Sequence, residues 1–241
     1  MTSLGIIQAR MDSSRLPRKV LLKLGGRSVL ERVVRAAQAS GVLDELVVAT
    51  TTEAADDAIV AECAAIGVAC HRGPVDDVLA RFLGVLDQHE SDIVLRFTAD
   101  NPLIDPAIIS RAHRVFVAAG ADYLSTSLAH TLPRGLDVEM VRTPVLRQVD
   151  ALATDHHRVH VTSYIYTHAD DFDVIGLTLQ PDLSHLRLTL DTEDDWKLIE
   201  AIVDHFGDEP VELKKVAAWL TERPDLIELN AHVLQKALVQ A

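Results

Sequence analysis

The feature that most limits the fold is a regular alternation of short apolar runs and amphipathic stretches over the first half of the chain. Runs rich in Val, Ile and Leu are typical of buried strands, and the stretches between them carry apolar residues at helical spacing. Strands alternating with helices form a mostly parallel, twisted sheet with helices on both faces, so we expect an α/β fold. The predicted strands are 4–8, 46–50, 68–71 and 92–97, and the predicted helices are 28–40, 53–66, 76–88 and 105–119.

The pattern becomes irregular after residue 120. Strands are predicted at 122–125, 136–141, 172–177 and 186–190, and helices at 143–152, 156–168, 193–206, 211–221 and 230–240. The chain contains no internal repeat and no low-complexity linker. The simplest division is therefore one domain, residues 1–241, with an inserted arm at about 125–180.

Composition argues against several classes of protein. A pI near 5.2 argues against broad nucleic-acid binding, which requires an extended basic face. No run of 18 apolar residues is present and the first residues do not resemble a signal peptide, so we expect a cytoplasmic protein without a membrane partner. Cys63 and Cys70 lack zinc-site spacing and are compatible with a reducing compartment.

A basic loop follows the first predicted strand. Residues 8–32 contain seven Lys or Arg and two acidic residues, whereas the whole chain has a net charge of −13. A cationic segment on an acidic protein is suited to hold a polyanion, and a nucleotide triphosphate is the candidate. The loop from Arg10 to Lys19, which includes Arg15, has no glycine, so side chains as well as backbone would bind phosphate. The structural alternative is a solvated basic turn.

Two aspartates follow predicted strands at the edge of the sheet where this loop lies. Asp100 comes after the strand at 92–97, and Asp191 comes after the strand at 186–190. Mg²⁺ uses one or two carboxylates together with phosphate oxygens and waters, and ligands of such sheets sit at the carboxyl ends of the strands. Taken singly, Asp100 suits an Asx turn and Asp191 suits a helix N-cap. Together with the basic loop, they favour a metal site.

Histidines in the second half invite two further interpretations. His156, His157 and His160 suggest zinc, but Cys and a third ligand are missing nearby, so contact with substrate or another subunit is favoured. His185 and Arg187 alternate on a predicted strand and are therefore expected on one face. They suit either an anionic acceptor or structural ion pairs with acids.

Several segments, in order along the chain, resemble the cytidylyltransferase family. The opening signature is IQARMDSSRLPRKVL at residues 7–21. Further matches are VATTT at 48–52, RG at 72–73 with DDVL at 76–79, RFTADNPLI at 96–104, PRGLDVE at 133–139, HVTSYIY at 160–166 and LSHLRLTLD at 183–191. The nearest branch resembles the SpsF-type proteins of surface polysaccharide biosynthesis, which are related to the acylneuraminate and 3-deoxy-manno-octulosonate cytidylyltransferases.

This resemblance implies a nucleotide-diphospho-sugar transferase fold (glycosyltransferase A-type, Rossmann-like) with an inserted dimerisation arm, and hence a homodimer. It implies CMP transfer from CTP to an anionic small-molecule acceptor, with Mg²⁺ as cofactor. The implied catalytic residues are Arg10, Lys19, Asp100 and Asp191, of which the two aspartates hold the metal. The implied nucleotide-binding residues are Gln8, Ala9, Arg10, Arg15, Lys19, Arg72 and Asp77. The implied acceptor-binding residues are Arg134, Asp137, Glu139, His160, His185 and Arg187.

Two other classes of function remain open at this point. A glycosyltransferase of similar fold would carry Asp-x-Asp at a strand end, which Thr98-Ala-Asp-Asn does not supply. A non-catalytic nucleotide-binding protein is the second alternative. Many family members have Gly where this chain has Asp12 and Arg18, and both side chains lie in the segment that would contact phosphate. Pyrophosphate release from a panel of nucleotides separates the three.

Overall fold

The computed structural model describes residues 1–234. Its strands are β1 (Ser3–Gln8), β2 (Lys23–Leu24), β3 (Arg27–Ser28), β4 (Glu45–Thr51), β5 (Ala69–Gly73), β6 (Ile93–Thr98), β7 (Tyr123–Ser125), β8 (Glu139–Arg142) and β9 (Val174–Gly176). Its α-helices are α1 (Val29–Ala39), α2 (Asp57–Ile66), α3 (Val78–Leu86), α4 (Pro106–Ala119), α5 (Thr143–Leu152), α6 (His156–Val159), α7 (Ser163–Thr167), α8 (Glu193–Phe206), α9 (Leu213–Thr221) and α10 (Pro224–Glu228). No helix within these residues is long and apolar enough to cross a membrane.

Seven strands form one sheet in the order β5-β4-β1-β6-β8-β7-β9, and β2 with β3 makes a separate hairpin. Strand β8 runs antiparallel to both of its neighbours, and the remaining pairings in the sheet are parallel. The strands predicted in the first half and the helices between them are present with small shifts at their ends. The predicted α/β fold with a mostly parallel sheet is therefore confirmed.

Apolar side chains pack on both faces of the sheet. Ile7 of β1 is buried in the same layer as Val33 of α1, whereas its neighbour Ile6 is buried with Phe82 of α3 and Leu146 of α5. Successive strand residues point to opposite faces, so a strand that reads as a continuous apolar run supplies both layers. Strand β1 pairs with β4 on one side and with β6 on the other, in a defined register.

That register determines which loops meet at the carboxyl edge. Gln8, the last residue of β1, pairs with Thr98, the last residue of β6. The next backbone groups continue the pairing, because the Ala9 N–H donates to Ala49 O at 3.1 Å and the Ala99 N–H donates to Gln8 O at 3.0 Å. The basic loop after β1 and the aspartate loop after β6 therefore begin side by side.

The sequence predicted some of the residues that cap the helices. The Ser28 side chain accepts from the Glu31 N–H at 3.0 Å and begins α1, as predicted. Asp105 caps α4, with Pro106 as the first residue of the helix. Thr192 begins α8 through a capping box with Asp195.

The strand predicted at 186–190 is absent. In this segment the Leu188 N–H donates to Arg134 O at 2.7 Å and the Leu190 N–H donates to Asp100 O at 2.8 Å. The backbone thus bridges two different loops and forms an isolated bridge at Arg187 in place of a ladder with one strand. An apolar run cannot distinguish a buried connecting segment of this kind from a strand.

The helix predicted at 156–168 is broken into α6 and α7. Val161 is buried and has a φ of 46°, a left-handed conformation that a β-branched residue rarely adopts. The next residue, Thr162, donates its hydroxyl to Glu139. Tertiary contacts therefore override the local helical pattern.

The predicted terminal helix and the predicted arm can be compared with the structure in part. Residues 230–234, where a terminal helix was predicted, form a turn and coil, and the rest of that prediction lies outside the described residues. Strands β8 and β9, which fall within the predicted arm at about 125–180, are part of the central sheet.

Candidate active site

A cavity of about 350 Å³ opens at the carboxyl edge of β1 and β6. Its lining comes from the loops after these two strands, from the segment before β8 and from the segment before α8. The predicted site residues that line it are Gln8, Ala9, Arg10, Arg15, Lys19, Asp100, Arg134, Asp137 and Asp191. Ligands of open α/β sheets bind at this edge, so the cavity is the candidate active site.

Lys19 lies at the centre of the site. Its Nζ donates to Asp100 Oδ2, to Asp191 Oδ1 and to Leu190 O, each at 2.8 Å. The residue begins a 3-10 turn, Lys19–Leu21, directly after Arg18 in a left-handed conformation. Burial alone would lower the pKa of Lys19, but Asp100 and Asp191 outweigh this effect and raise the pKa above its usual value. Lys19 is therefore a buried, charged ammonium between two carboxylates.

Asp191 accepts from three cations. Its Oδ1 receives Lys19, while its Oδ2 receives Arg15 Nη2 at 2.9 Å and Arg187 Nη2 at 2.8 Å. Burial tends to raise the pKa of Asp191, but Lys19, Arg15 and Arg187 together hold the pKa below its usual value. The group is a carboxylate throughout the neutral range.

Behind Asp191 lies Asp195, a residue for which the sequence predicted no role. Its carboxylate accepts from Arg187 Nε at 2.8 Å, from the Asp191 N–H at 2.9 Å and from Asn230 Nδ2 at 2.8 Å. The side chain is fully buried and also caps α8 through the Thr192 N–H. The Thr192–Asp195 spacing of a capping box was the one signal in the sequence that could have identified it.

These contacts join six ionisable side chains, which we call the ion-pair cluster. The members are Arg15, Lys19, Asp100, Arg187, Asp191 and Asp195. The predicted common face of His185 and Arg187 is wrong, because Arg187 is buried in this cluster and His185 is exposed. The cause is that residues 186–190 form no strand, so the alternation of faces does not hold.

The basic loop is anchored by Asp56, a second residue that sequence reasoning missed. Asp56 accepts from the Met11 N–H at 2.8 Å, from Thr50 Oγ1 at 2.9 Å and from the Thr51 N–H at 3.0 Å. Burial would raise the pKa of Asp56, but these hydrogen bonds lower it. No motif marks Asp56, and it meets the loop because β1 and β4 are adjacent in the sheet.

Arg72 and Asp77, predicted to contact the nucleotide, do not line the cavity. Arg72 donates to Thr51 O at 2.8 Å and pairs with Asp57 at 2.6 Å. Asp77 caps α3 and pairs with Arg158 at 2.6 Å. Both side chains therefore have structural partners, and their contact with a nucleotide stays a prediction.

The predicted acceptor residues divide into separate groups. Arg134 and Asp137 line the cavity, whereas Glu139 is bonded to Arg96 at 2.5 Å and to the Tyr123 hydroxyl at 3.0 Å. Arg96 in turn donates to Gln8 Oε1 at 3.2 Å. Glu139 thus forms part of a network beneath the cavity.

Asp137 and His160 have distinct surroundings. Burial, followed by the negative charge of Glu139, raises the pKa of Asp137 to about 6. His160 ends α6, where its N–H donates to His156 O at 3.0 Å. Among residues 1–234, no group of three or more His, Cys, Asp or Glu is arranged to hold a metal ion, so the zinc interpretation of the histidines finds no support.

Comparisons with known proteins identify relatives that match most of the chain. The family model for cytidylyltransferases matches residues 4–220. The spore coat polysaccharide biosynthesis protein SpsF of Bacillus subtilis is 32% identical over 229 residues, which cover 91% of this chain and 94% of SpsF. An uncharacterized protein of Methanocaldococcus jannaschii is 36% identical over 240 residues, covering 98% of each chain.

The solved structures show the same fold. A cytidylyltransferase from Leptospira borgpetersenii superposes with a TM-score of 0.91 at 26% identity, covering 98% of this chain and 99% of the other. The family model, the full-length relatives and this structural match together show that the chain belongs to the cytidylyltransferase family of CTP-dependent nucleotidyltransferases.

Proposed function

We propose that this protein transfers CMP from CTP to an anionic acceptor and releases pyrophosphate, with Arg10, Arg15 and Lys19 holding the triphosphate. The observation that carries the proposal is the position of Lys19 Nζ, 2.8 Å from the carboxylates of both Asp100 and Asp191. Phosphate-binding cations and metal-binding carboxylates converge on one point of one cavity. A glycosyltransferase would release a nucleoside diphosphate here and a nucleotide sensor would release nothing, so the released group distinguishes the three functions.

The donor set suits Mg²⁺. Asp100 and Asp191 are hard oxygen ligands that already share one cation, and Mg²⁺ in nucleotide sites uses one or two carboxylates with phosphate oxygens and waters. These two residues would hold the metal ion. When bound there, the ion would supply Lewis-acid polarisation of the α-phosphate and neutralise developing charge.

The residues of the chain account for the remaining catalysis. The acceptor oxygen attacks the α-phosphorus in line, and the bond from that phosphorus to the oxygen bridging the α- and β-phosphates breaks as pyrophosphate leaves. Lys19 and Arg15 bind the departing phosphates, where positive charge is worth most in the transition state. Asp137 lines the same cavity and its pKa is about 6, so at neutral pH it can accept the proton of an acceptor hydroxyl at its carboxylate.

The residues on the predicted acceptor side of the cavity limit which acceptors can bind. Arg134 offers a cation beside Asp137, which suits a ulosonic acid, a sugar or polyol phosphate, or a phosphonate. The similarity to the SpsF protein supports a role in surface polysaccharide biosynthesis. We also propose that the protein is cytoplasmic and forms a homodimer through the arm at about 125–180.

Pyrophosphate release tests the proposal. The purified protein is incubated with Mg²⁺ and each of CTP, UTP, ATP and GTP, with acidic sugars, sugar phosphates, polyol phosphates and phosphonates as acceptors. We expect release with CTP and one class of acceptor, accompanied by a CMP- or CDP-linked product in the mass spectrum. Nucleotide binding without release across the panel would contradict catalysis. In a parallel reaction with nucleotide-activated sugars in place of the nucleotides, release of a nucleoside diphosphate would indicate a glycosyltransferase.

A further inference from the structure

We infer that Lys19 occupies the place of the divalent cation until the nucleotide arrives, so that the site accepts its metal only together with the nucleotide. The inference rests on the proposed function, because it takes Asp100 and Asp191 as the metal ligands. Lys19 then changes partner, leaving the two carboxylates for the phosphates. This makes the metal–nucleotide complex the form of CTP that the site binds.

The first step in the argument is the contact geometry. Lys19 Nζ has three oxygen partners at 2.8 Å, two from the carboxylates and one from Leu190 O. An ammonium has three N–H donors, and here each has an acceptor. The side chain is nearly buried, with 10% of its surface exposed. A divalent ion bound to both carboxylates would have to displace this nitrogen.

The second step is the charge of the site. The ion-pair cluster contains three cations and three carboxylates, so it is neutral as it stands. A divalent cation entering alone would add two positive charges to a partly buried site beside Lys19, Arg15 and Arg187, which is electrostatically unfavourable. A nucleotide triphosphate brings several negative charges, and these compensate the metal and offer Lys19 and Arg15 new partners.

The third step distinguishes Arg187, a cation held in place within the cluster, from Lys19, which can exchange partners. Arg187 is held by Asp195, which is fully buried and is also bonded to Asn230. By contrast, both carboxylates bonded to Lys19 belong to residues that line the cavity. Lys19 also carries a compact point charge on a flexible four-carbon chain, which reorients more readily than a guanidinium held on two sides.

Binding of Mn²⁺ in the absence of nucleotide tests the inference. Lys19→Gln removes the ammonium, and Arg18→Gln is the matched control, because it removes one charge from the neighbouring residue, which is exposed and lines a different cavity. The probe is the electron paramagnetic resonance signal of Mn²⁺ at pH 7. We expect weak binding to the unaltered protein and to Arg18→Gln, and binding at least about tenfold tighter to Lys19→Gln, a modest effect for a unit charge this close.

The alternative outcomes are decisive. Equal tightening of Mn²⁺ binding in both variants would show a general charge effect and overturn the inference. An affinity for Mn²⁺ that is the same in the unaltered protein and in Lys19→Gln would also overturn it. Adding Asp100→Asn to Lys19→Gln should abolish the gain if the ion sits between the two carboxylates.

A measurement on the unaltered protein covers the case in which Lys19→Gln does not fold. Mn²⁺ binding is measured for the protein alone, for an unreactive α,β-methylene analogue of CTP alone, and for the two together. We expect the mixture to bind more Mn²⁺ than the sum of the two separate samples. Binding equal to that sum would overturn the inference. Because Mn²⁺ alone is the probe in the variant comparison, that result stands even if no acceptor ever supports pyrophosphate release. The proposed function and the inference can therefore fail separately.

Discussion

The two sides of the cavity differ in how their charged residues are used. On the predicted nucleotide side, Arg15, Lys19, Asp100 and Asp191 converge from distant parts of the chain and bond to one another. On the predicted acceptor side, Arg134 and Asp137 line the cavity, while Glu139 pairs beneath it. The charged residues of the predicted nucleotide side bond to one another within the cavity, whereas those of the predicted acceptor side are divided between the cavity and a network beneath it. The difference teaches that a charged residue near a cavity is not by itself evidence of contact with a ligand.

The largest expected effect is on the nucleotide side. Asp100→Asn removes the charge of a proposed metal ligand and should lower kcat by about 10²–10³-fold, as the loss of a single electrostatic contact to a transition state does. The measurement is steady-state pyrophosphate release with CTP. Asp87→Asn, at an exposed residue paired with Arg147, is the control and should leave kcat unchanged. A rate within twofold of the unaltered enzyme for Asp100→Asn would remove the metal assignment.

Glu139→Gln examines the acceptor side. Both carboxylate oxygens of Glu139 are engaged, by Arg96 on one and Tyr123 on the other, so the substitution leaves a largely buried guanidinium without its charge partner. We expect the free energy of unfolding to fall by about 3 kcal/mol, measured by urea denaturation, with the KM for CTP changed less than about twofold. An unchanged stability with a raised KM for the acceptor would restore Glu139 as an acceptor ligand.

Substitution of Asp137 should raise the free energy of unfolding, whereas Glu139→Gln should lower it. Its pKa in the folded protein is about 6, against 3.8 ordinarily, so the folded protein keeps this proton to higher pH than the unfolded chain does. The free energy of unfolding therefore falls as pH rises from about 4 to about 6. Asp137→Asn removes this penalty and should raise stability by about 1–2 kcal/mol at pH 7.5, with little gain at pH 3.5.

Thermal or urea unfolding at the two pH values measures this difference for Asp137. A gain that is the same at pH 3.5 and pH 7.5 would contradict the raised pKa. Loss of activity in the same variant, despite the added stability, is expected if the carboxylate accepts the acceptor's proton.

The smallest expected effect is that of His185→Ala. His185 is exposed and does not line the cavity, although the sequence predicted it on the acceptor-binding face with Arg187. We expect changes of less than about 0.5 kcal/mol in stability, as at most surface positions, and no change in the KM of the acceptor. A severalfold rise in that KM would return His185 to the acceptor site and weaken the contrast between the two sides.

The sequence predicted the sheet well because strands and helices depend on local patterns. It also placed Lys19, Asp100 and Asp191 at one edge of the sheet, whereas Arg72 and Asp77, predicted for the same nucleotide site, do not line the cavity. Strand β1 reads as an apolar run, and Lys19 follows it at a distance that the loop can span.

The role of Asp56 was not predictable, since it acts through partners brought together by strand order. For Asp195 the capping-box spacing indicates a helix cap but not the contacts with Arg187 and Asn230. The segment 186–190 was mistaken for a strand, and the predicted pairing of faces at His185 and Arg187 was lost with it.

The most direct test of the central claim is a crystal structure with Mn²⁺ and the unreactive α,β-methylene analogue of CTP. The anomalous signal of Mn²⁺ should lie within bonding distance of the carboxylates of Asp100 and Asp191 and of a phosphate oxygen, with Lys19 Nζ moved onto phosphate. A nucleotide bound elsewhere, or Lys19 still bonded to both aspartates with Mn²⁺ at another site, would contradict the account.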